Sequence, residues 1–170
     1  MKKLLGLLIS ITSITSAAQL HIIEDCTDLS GKCYIFPSEN LIVANSSKTK
    51  GFSIAPSMER NSEGKVAIDG LMVTMVGIGT CCENNELIFL FADSTKMTLT
   101  SWNDWNCEGN AWYNLSDKQV TELSTKPIIK AQMKNGYSFE SFVNAIVADK
   151  QKYFITICAQ VAANKVTLNK

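Results

Sequence analysis

Between residues 41 and 101, apolar and polar positions follow a pattern that is typical of β-strands. Short apolar or alternating stretches are separated by glycines and by clusters of small polar residues. Leu41–Ala44 predicts a first strand, and Leu87–Phe91 is a continuous apolar stretch, which predicts a strand buried on both faces. Met97–Thr100 alternates directly after turn-forming residues at 93–96, so this stretch predicts a β-hairpin.

The stretch from Lys65 to Gly79 is also rich in β-forming residues, but glycines interrupt it. Glycine inside a strand pattern usually marks a bulge or a bend, because it has no side chain to pack and tolerates positive φ. We therefore expect irregular backbone at Gly70, Gly77 and Gly79.

Two helices are predicted from residue spacing. The first covers Asp117–Leu123, where Ser116 and Gln119 have the spacing of a capping box. The second covers about twelve residues after Ser138, the expected N-cap, because its apolar residues are spaced three and four apart on one helical face. Those apolar residues are Phe139, Phe142, Val143, Ile146 and Val147.

The remaining apolar stretches predict two further strands, Pro127–Met133 and Tyr153–Val161. The expected fold class is therefore α+β but mainly β. We expect a single-domain antiparallel sandwich or barrel-like sheet with one or two short helices, stapled by disulfides.

Residues 1–18 have the layout of a signal peptide. Lys2 and Lys3 precede an apolar stretch, and Ser16 to Ala18 supply the small residues that signal peptidase requires. An uncleaved membrane anchor is the alternative, but the apolar stretch is shorter than the roughly 20 residues of a spanning helix. No later segment is apolar enough to cross a bilayer, so the mature chain, residues 19–170, is expected to be secreted or periplasmic.

Removal of the signal would leave 152 of the 170 residues, a length that suits one domain. With 46% hydrophobic and 19% charged residues, the composition is that of a folded globular protein. The signal takes two of the sixteen basic residues, so fourteen remain against sixteen acids, a formal net charge of −2. Net charge therefore gives no reason to expect a nucleic-acid partner.

All six cysteines lie beyond the signal, and an even number in an exported protein predicts structural disulfides. We expect Cys26 to pair with Cys33, one of Cys81 and Cys82 to pair with Cys107, and the other to pair with Cys158. The alternatives are a reducible disulfide between the adjacent Cys81 and Cys82, or a metal site. The paired two-residue spacings of four-cysteine metal sites are missing, so no metal is expected.

Histidine is almost absent, and this limits the chemistry of the chain. His21 is the only one, close to the expected mature N-terminus. Triads that use a Ser or Cys nucleophile need an imidazole held beside it, and many zinc sites need two or more histidines. No phosphate-binding or dinucleotide-binding motif is present either. The sequence therefore predicts no catalytic residues and no cofactor.

The segment 101–114 contains all three tryptophans among many amide side chains. Indole rings stack on sugars or on protein partners, and amides and carboxylates supply directional hydrogen bonds. The predicted ligand-binding residues are Trp102, Asn103, Asp104, Trp105, Asn106 and Glu108. The alternative is that the tryptophans pack in the core while the asparagines form turns. Because Trp102 and Trp112 adjoin strand patterns, we expect both to be buried and Trp105 to be exposed.

These observations favour an exported, non-catalytic binding module whose partner is a glycan or a protein. One alternative is a secreted polysaccharide hydrolase that uses Asp104 and Glu108 as paired carboxylates. The other is a purely structural secreted protein. The sequence leaves the identity of the ligand and the oligomeric state open.

Overall fold

The computed structural model describes residues 22–26, 33–37, 39–61, 63–102, 106–146 and 148–163. Within these ranges the chain forms strands and two helices, all of which are short except β4, β5 and α2. In chain order they are β1 (Ile22–Asp25), β2 (Cys33–Pro37), β3 (Leu41–Ala44), β4 (Gly51–Arg60), β5 (Val66–Val76), β6 (Glu86–Phe91), β7 (Lys96–Thr100), β8 (Asn110–Asn114), α1 (Asp117–Thr125), β9 (Ile128–Lys134), β10 (Ser141–Ala145) and α2 (Ala148–Ala162).

The strands form two antiparallel sheets, which confirms the mainly β fold class with two short helices. The larger sheet has six strands in the order β1-β2-β4-β5-β8, and β3 also pairs with β4. β3 pairs with the first residues of β4, and β2 pairs with its last residues. The smaller sheet has four strands in the order β10-β9-β6-β7.

The core lies between the two sheets. In the six-stranded sheet, Leu41, Ile54, Val73 and Ala111 stand opposite one another on successive strands, and all four are buried. They belong to the same apolar cluster as buried residues of β6 and β9 in the four-stranded sheet. At the β10 edge the Phe52 and Phe142 rings meet edge to face, with 6.4 Å between their centroids. Burial alternates along the strands because one face of each sheet packs inwards and the other faces outwards.

Helix α2 covers the part of the six-stranded sheet that the smaller sheet does not reach. Ile157 and Val161 pack with Ile35, Met58 and Val66 in a second buried cluster. None of the helices in the described part of the chain combines the length and the apolar character that a membrane crossing requires.

The predicted helix at Asp117–Leu123 is confirmed and extends to Thr125 as α1. The Ser116 side chain accepts the backbone N–H of Gln119, and the Gln119 side chain accepts the backbone N–H of Ser116. The capping box therefore satisfies two of the N–H groups that a helix N-terminus leaves without partners.

The helix predicted after Ser138 is wrong, because these residues form β10, which pairs with β9. Phe139 has a φ of 60° in the turn before the strand and is 78% exposed. Phe142 then points inwards and Val143 outwards, which is the alternation of a strand. The spacing that resembled a helix combines residues from a turn, two strand faces and the segment after the strand. Val147 lies outside the described residues.

The strand predicted at Tyr153–Val161 is also wrong, because these residues belong to α2. Phe154, Ile157, Cys158 and Val161 are buried, and their spacing of three and four residues places them on one helical face. The alternation of Tyr153, Ile155 and Ile157 fits a strand, whereas the three-and-four spacing fits a helix. The helix forms because that face packs against the six-stranded sheet.

Leu87–Phe91 forms β6 but is not buried on both faces as predicted. Leu87, Phe89 and Phe91 are fully buried, whereas Ile88 and Leu90 are only partly buried on the outer face. The predicted irregularities at glycines are confirmed. The β4–β5 register shifts next to Gly70, and Gly77 has a φ of 67° at a point where an added Cβ would lie 2.4 Å from the Thr49 carbonyl oxygen.

Candidate functional site

Two of the three predicted disulfides are present. Cys26 is bonded to Cys33, and Cys81 is bonded to Cys107. The third prediction, that the remaining adjacent cysteine pairs with Cys158, is wrong, because Cys82 and Cys158 are both free thiols in the core. Cys81 lies near the surface while Cys82 is fully buried, so the two adjacent side chains have different environments.

The two free thiols are poor nucleophiles. Burial raises the pKa of Cys82, partly offset by a hydrogen bond with Asn85. Burial also raises the pKa of Cys158 to about 12. Since the thiolate is the reactive form, both cysteines behave as small apolar core residues near neutral pH.

The candidate segment, residues 101–114, joins the edge of the six-stranded sheet, and Trp102 and Trp112 are more accessible than predicted. Trp102 is 61% exposed, and its backbone N–H donates to the carbonyl of Trp112 at 3.0 Å, on the outer edge of β8. Trp112 is only partly buried. The prediction that both are buried is therefore wrong. β8 places Ala111 and Tyr113 inwards, so Trp112 between them faces outwards.

Register places Trp112 on a surface whose facing rows carry no charged residue, although the exposed Asp69 lies at the bulge beside Gly70. Side chains that stand opposite one another in an antiparallel sheet share a face. On the outer face of β3, β4, β5 and β8, three successive rows carry only apolar, hydroxyl and amide groups, and we refer to these positions as the uncharged face. The rows are Ile42, Ser53, Thr74 and Asn110, then Ala55, Met72 and Trp112, then Ser57, Gly70 and Asn114.

One hydrogen bond on the uncharged face fixes an amide orientation. The Thr74 hydroxyl donates to Asn110 Oδ1 at 2.8 Å. The amide nitrogen of Asn110 is therefore directed away from Thr74. This polar pair lies one row from Trp112, so an aromatic ring and oriented polar groups are neighbours on one surface.

Of the other predicted ligand-binding residues, Asn106 has a structural role. Its Oδ1 accepts the backbone N–H of Glu108 at 3.1 Å, and its backbone bridges to Cys82. These contacts confirm, for this residue, the alternative in which the asparagines serve turns. Glu108 is exposed on the same turn. Asn103, Asp104 and Trp105 lie outside the described residues, so their predicted roles, and the hydrolase alternative that needs Asp104, stay predictions.

The outer face of the four-stranded sheet has the opposite character. Lys96, Lys130 and Lys134 project from it, and Lys134 forms an ion pair with Glu86 at 3.2 Å. Ile88 is a partly buried apolar residue between these charges. The two outer faces therefore differ in charge. The rows around Trp112 carry no charged residue, whereas the outer face of the four-stranded sheet carries three lysines and Glu86.

A buried polar network connects the loops behind the candidate segment, and sequence analysis missed it. The Asn85 side chain accepts the backbone N–H of Gly136 at 2.8 Å, and Ser101 accepts the backbone N–H of Asn85 at 2.9 Å. Asn135 donates to the Cys81 carbonyl at 3.0 Å. The Asn84-Asn85 and Asn135-Gly136 pairs, both typical of turns, were the sequence signal for it. These bonds hold Ser101, and hence the start of the tryptophan segment, against the core.

One group of potential metal ligands occurs among the described residues. Ligand atoms of Glu24, Cys26 and Cys33 all lie within 4.8 Å of one another. Because the two sulfurs form a disulfide, they cannot act as the thiolate ligands that a metal requires. The group is therefore not a metal site in this oxidised form.

No protein-family model, curated protein or solved structure matches this chain. Function is therefore inferred from the arrangement of its residues alone.

Proposed function

We propose that this protein is an exported, non-catalytic binding module that recognises a neutral saccharide through the uncharged face and Trp102. The observation that carries the proposal is the register of β3, β4, β5 and β8. It brings hydroxyl and amide side chains from distant parts of the chain into three rows that include Trp112 and carry no charged residue, with Asp69 at the bulge that borders the third row.

The chemistry of this surface suits a sugar better than a charged protein partner. The C–H faces of a pyranose stack on indole rings, and its hydroxyls exchange hydrogen bonds with amide and hydroxyl groups. Trp112 and the Thr74–Asn110 pair supply both kinds of group on adjacent rows. The backbone of Trp102 is bonded to that of Trp112, so a second, exposed indole side chain starts from the same sheet edge.

Export is the second part of the proposal, and the two disulfides support it. Structural disulfides form and persist in oxidising compartments outside the cytoplasm. We expect residues 1–18 to be removed, so that N-terminal sequencing of the protein recovered outside the cytoplasm begins at Gln19. Recovery of the full-length chain in the cytoplasm would contradict this part.

The binding proposal can be tested by intrinsic tryptophan fluorescence. The oxidised protein is titrated with chitohexaose, cellohexaose and maltohexaose, and with polygalacturonate as an anionic comparison. We expect at least one neutral hexasaccharide to bind and to change the emission, because Trp102 is 61% exposed. Loss of one stacking ring, in W102A or W112L, should raise the Kd about tenfold, which corresponds to about 1.4 kcal/mol.

Tyr137→Ala is the matched control, because Tyr137 is an aromatic residue that is 57% exposed on the turn before β10, in the other sheet. It should bind the same sugar with an unchanged Kd. Thermal unfolding of each variant separates lost binding from lost folding. If no neutral sugar binds the wild type at millimolar concentration, or if W102A and W112L both bind as tightly as the wild type, the proposal is wrong.

A further inference from the structure

We propose that the Cys26–Cys33 disulfide is a thiol-exchange site, at which small thiols or exported dithiols attack Cys26 while Arg60 stabilises the departing Cys33 thiolate. The site lies at the edge of the six-stranded sheet. It is independent of the saccharide-binding surface.

The strand register creates this arrangement. Cys33 at the start of β2 stands opposite Arg60 at the end of β4, so the two side chains share a face of the sheet. Arg60 Nη2 lies 3.5 Å from Cys33 Sγ and 3.9 Å from Cys26 Sγ. The same guanidinium nitrogen forms an ion pair with Glu24 on β1, so this carboxylate partly neutralises the cation beside the two sulfurs.

Exposure distinguishes the two sulfurs. Cys26 is exposed, whereas Cys33 is partly buried and lies closer to Arg60. An incoming thiolate therefore reaches Cys26 more readily. The negative charge that develops on Cys33 forms beside a cation, and a stabilised leaving thiolate accelerates exchange.

The surroundings of the second disulfide favour the opposite behaviour. The charged residues that flank Cys81 and Cys107 along the chain are Glu83 and Glu108, both exposed. Carboxylates repel an incoming thiolate and disfavour a departing one. The pairing of an exposed disulfide with a cation is therefore a feature of Cys26–Cys33.

The exchange reduces the protein disulfide in two steps, each an attack by one external thiolate. A thiolate attacks Cys26 Sγ and forms a mixed disulfide, while the bond to Cys33 breaks and Cys33 leaves with the electron pair. A second thiolate attacks the outer sulfur of the mixed disulfide, which releases an oxidised small disulfide and the Cys26 thiolate. The protein disulfide gains two electrons, the two external thiols lose them, and the protons of those thiols pass to Cys26 and Cys33.

The test measures reduction of each disulfide in the full mature protein by glutathione, with alkylation and peptide mass spectrometry to identify the sulfur atoms. We expect Cys26–Cys33 to open at glutathione concentrations that leave Cys81–Cys107 intact, and the first adduct to form on Cys26. Arg60→Met should slow this step about tenfold. Glu24→Gln should accelerate it, because it removes the carboxylate near the departing thiolate, and Arg60→Lys should retain most of the wild-type rate.

Lys134→Met is the control, since it removes a cation from an exposed ion pair on the other sheet and should leave the rate unchanged. The opposite directions expected for Arg60→Met and Glu24→Gln separate charge stabilisation from simple loosening, which would accelerate both. Earlier or simultaneous opening of Cys81–Cys107, a first adduct on Cys33, or a wild-type rate in Arg60→Met would each overturn the proposal.

Discussion

The two disulfides join very different parts of the molecule. Cys26 and Cys33 are seven residues apart in sequence, and their disulfide joins the end of the edge strand β1 to the start of β2, beside Arg60. Cys81–Cys107 spans 26 residues and joins the β5–β6 connection to the turn before β8, next to the fully buried Cys82. Because Cys81–Cys107 closes the longer loop, we expect it to contribute more to the stability of the fold, while the proposed thiol exchange at Cys26–Cys33 depends on Arg60 beside it.

The largest effect is expected from removal of the longer crosslink. The double variant C81S/C107S frees a 26-residue loop in the unfolded chain, which should lower the free energy of unfolding by about 3.5 kcal/mol. Urea denaturation monitored by far-ultraviolet circular dichroism measures this change. A loss below about 1 kcal/mol would contradict the prediction, because Cys81–Cys107 would then contribute little to the stability of the fold.

A smaller effect is expected from the edge crosslink. The double variant C26S/C33S frees a loop of only seven residues, so the same chain-entropy relation gives about 2.4 kcal/mol. The measurement is the same denaturation curve, with C81S/C107S as the matched reference. If C26S/C33S were the less stable of the two variants, Cys26–Cys33 would contribute more to the free energy of unfolding than Cys81–Cys107. The contrast drawn between the two disulfides would then be wrong.

The pairing of these cysteines shows how far local sequence can lead. Short separation was enough to predict Cys26–Cys33, and strands folding back were enough to bring Cys107 to the 81–82 pair. The third pairing failed because sequence does not show which neighbouring side chain enters the core. That depends on the bridge between Cys82 and Asn106, a contact that only the folded chain makes.

The strands and helices show the same limit. The capping box at Ser116 predicted α1 because every contact in it is local. β10 and α2 were misassigned because their apolar residues fit two periodicities, and the choice depended on pairing with β9 in one case and packing against Ile35 and Met58 in the other. β1 and β2 were missed, since their apolar stretches are short and lie among polar and turn-forming residues.

The candidate site was predictable only in part. The tryptophan segment drew attention through composition, but Trp102 was expected to be buried and lies at the surface. The uncharged face could not be predicted, because Ser53, Thr74 and Asn110 come together only through the register of three strands. Arg60 and Cys33 meet for the same reason.

The smallest expected effect on stability comes from the two free thiols, Cys82 and Cys158. Because they are not bonded to each other, the structure has only the two disulfides compared above among its described residues. Burial raises the pKa of both Cys82 and Cys158 above the unfolded value of 9.0, to about 12 for Cys158. The protonated thiols therefore contribute stability that is fully present below pH 9 and is lost progressively as the pH rises towards the folded pKa. Between pH 9 and 10, the contribution of Cys158 to the free energy of unfolding should approach a decrease of about 1.4 kcal/mol per pH unit, and Cys82 should add a decrease in the same direction.

Denaturation curves at pH 8, 9 and 10 measure how the free energy of unfolding changes with pH. The control is C82A/C158A. This variant should be less stable than the wild type at every pH, but its stability should lack the part of the pH dependence that comes from the thiols. The window ends at pH 10 because burial also raises the pKa of Tyr113, whose phenol contributes at higher pH. Equal slopes in the wild type and the double variant would mean that burial does not raise the pKa of Cys82 and Cys158 in the folded state, and the prediction would then be wrong.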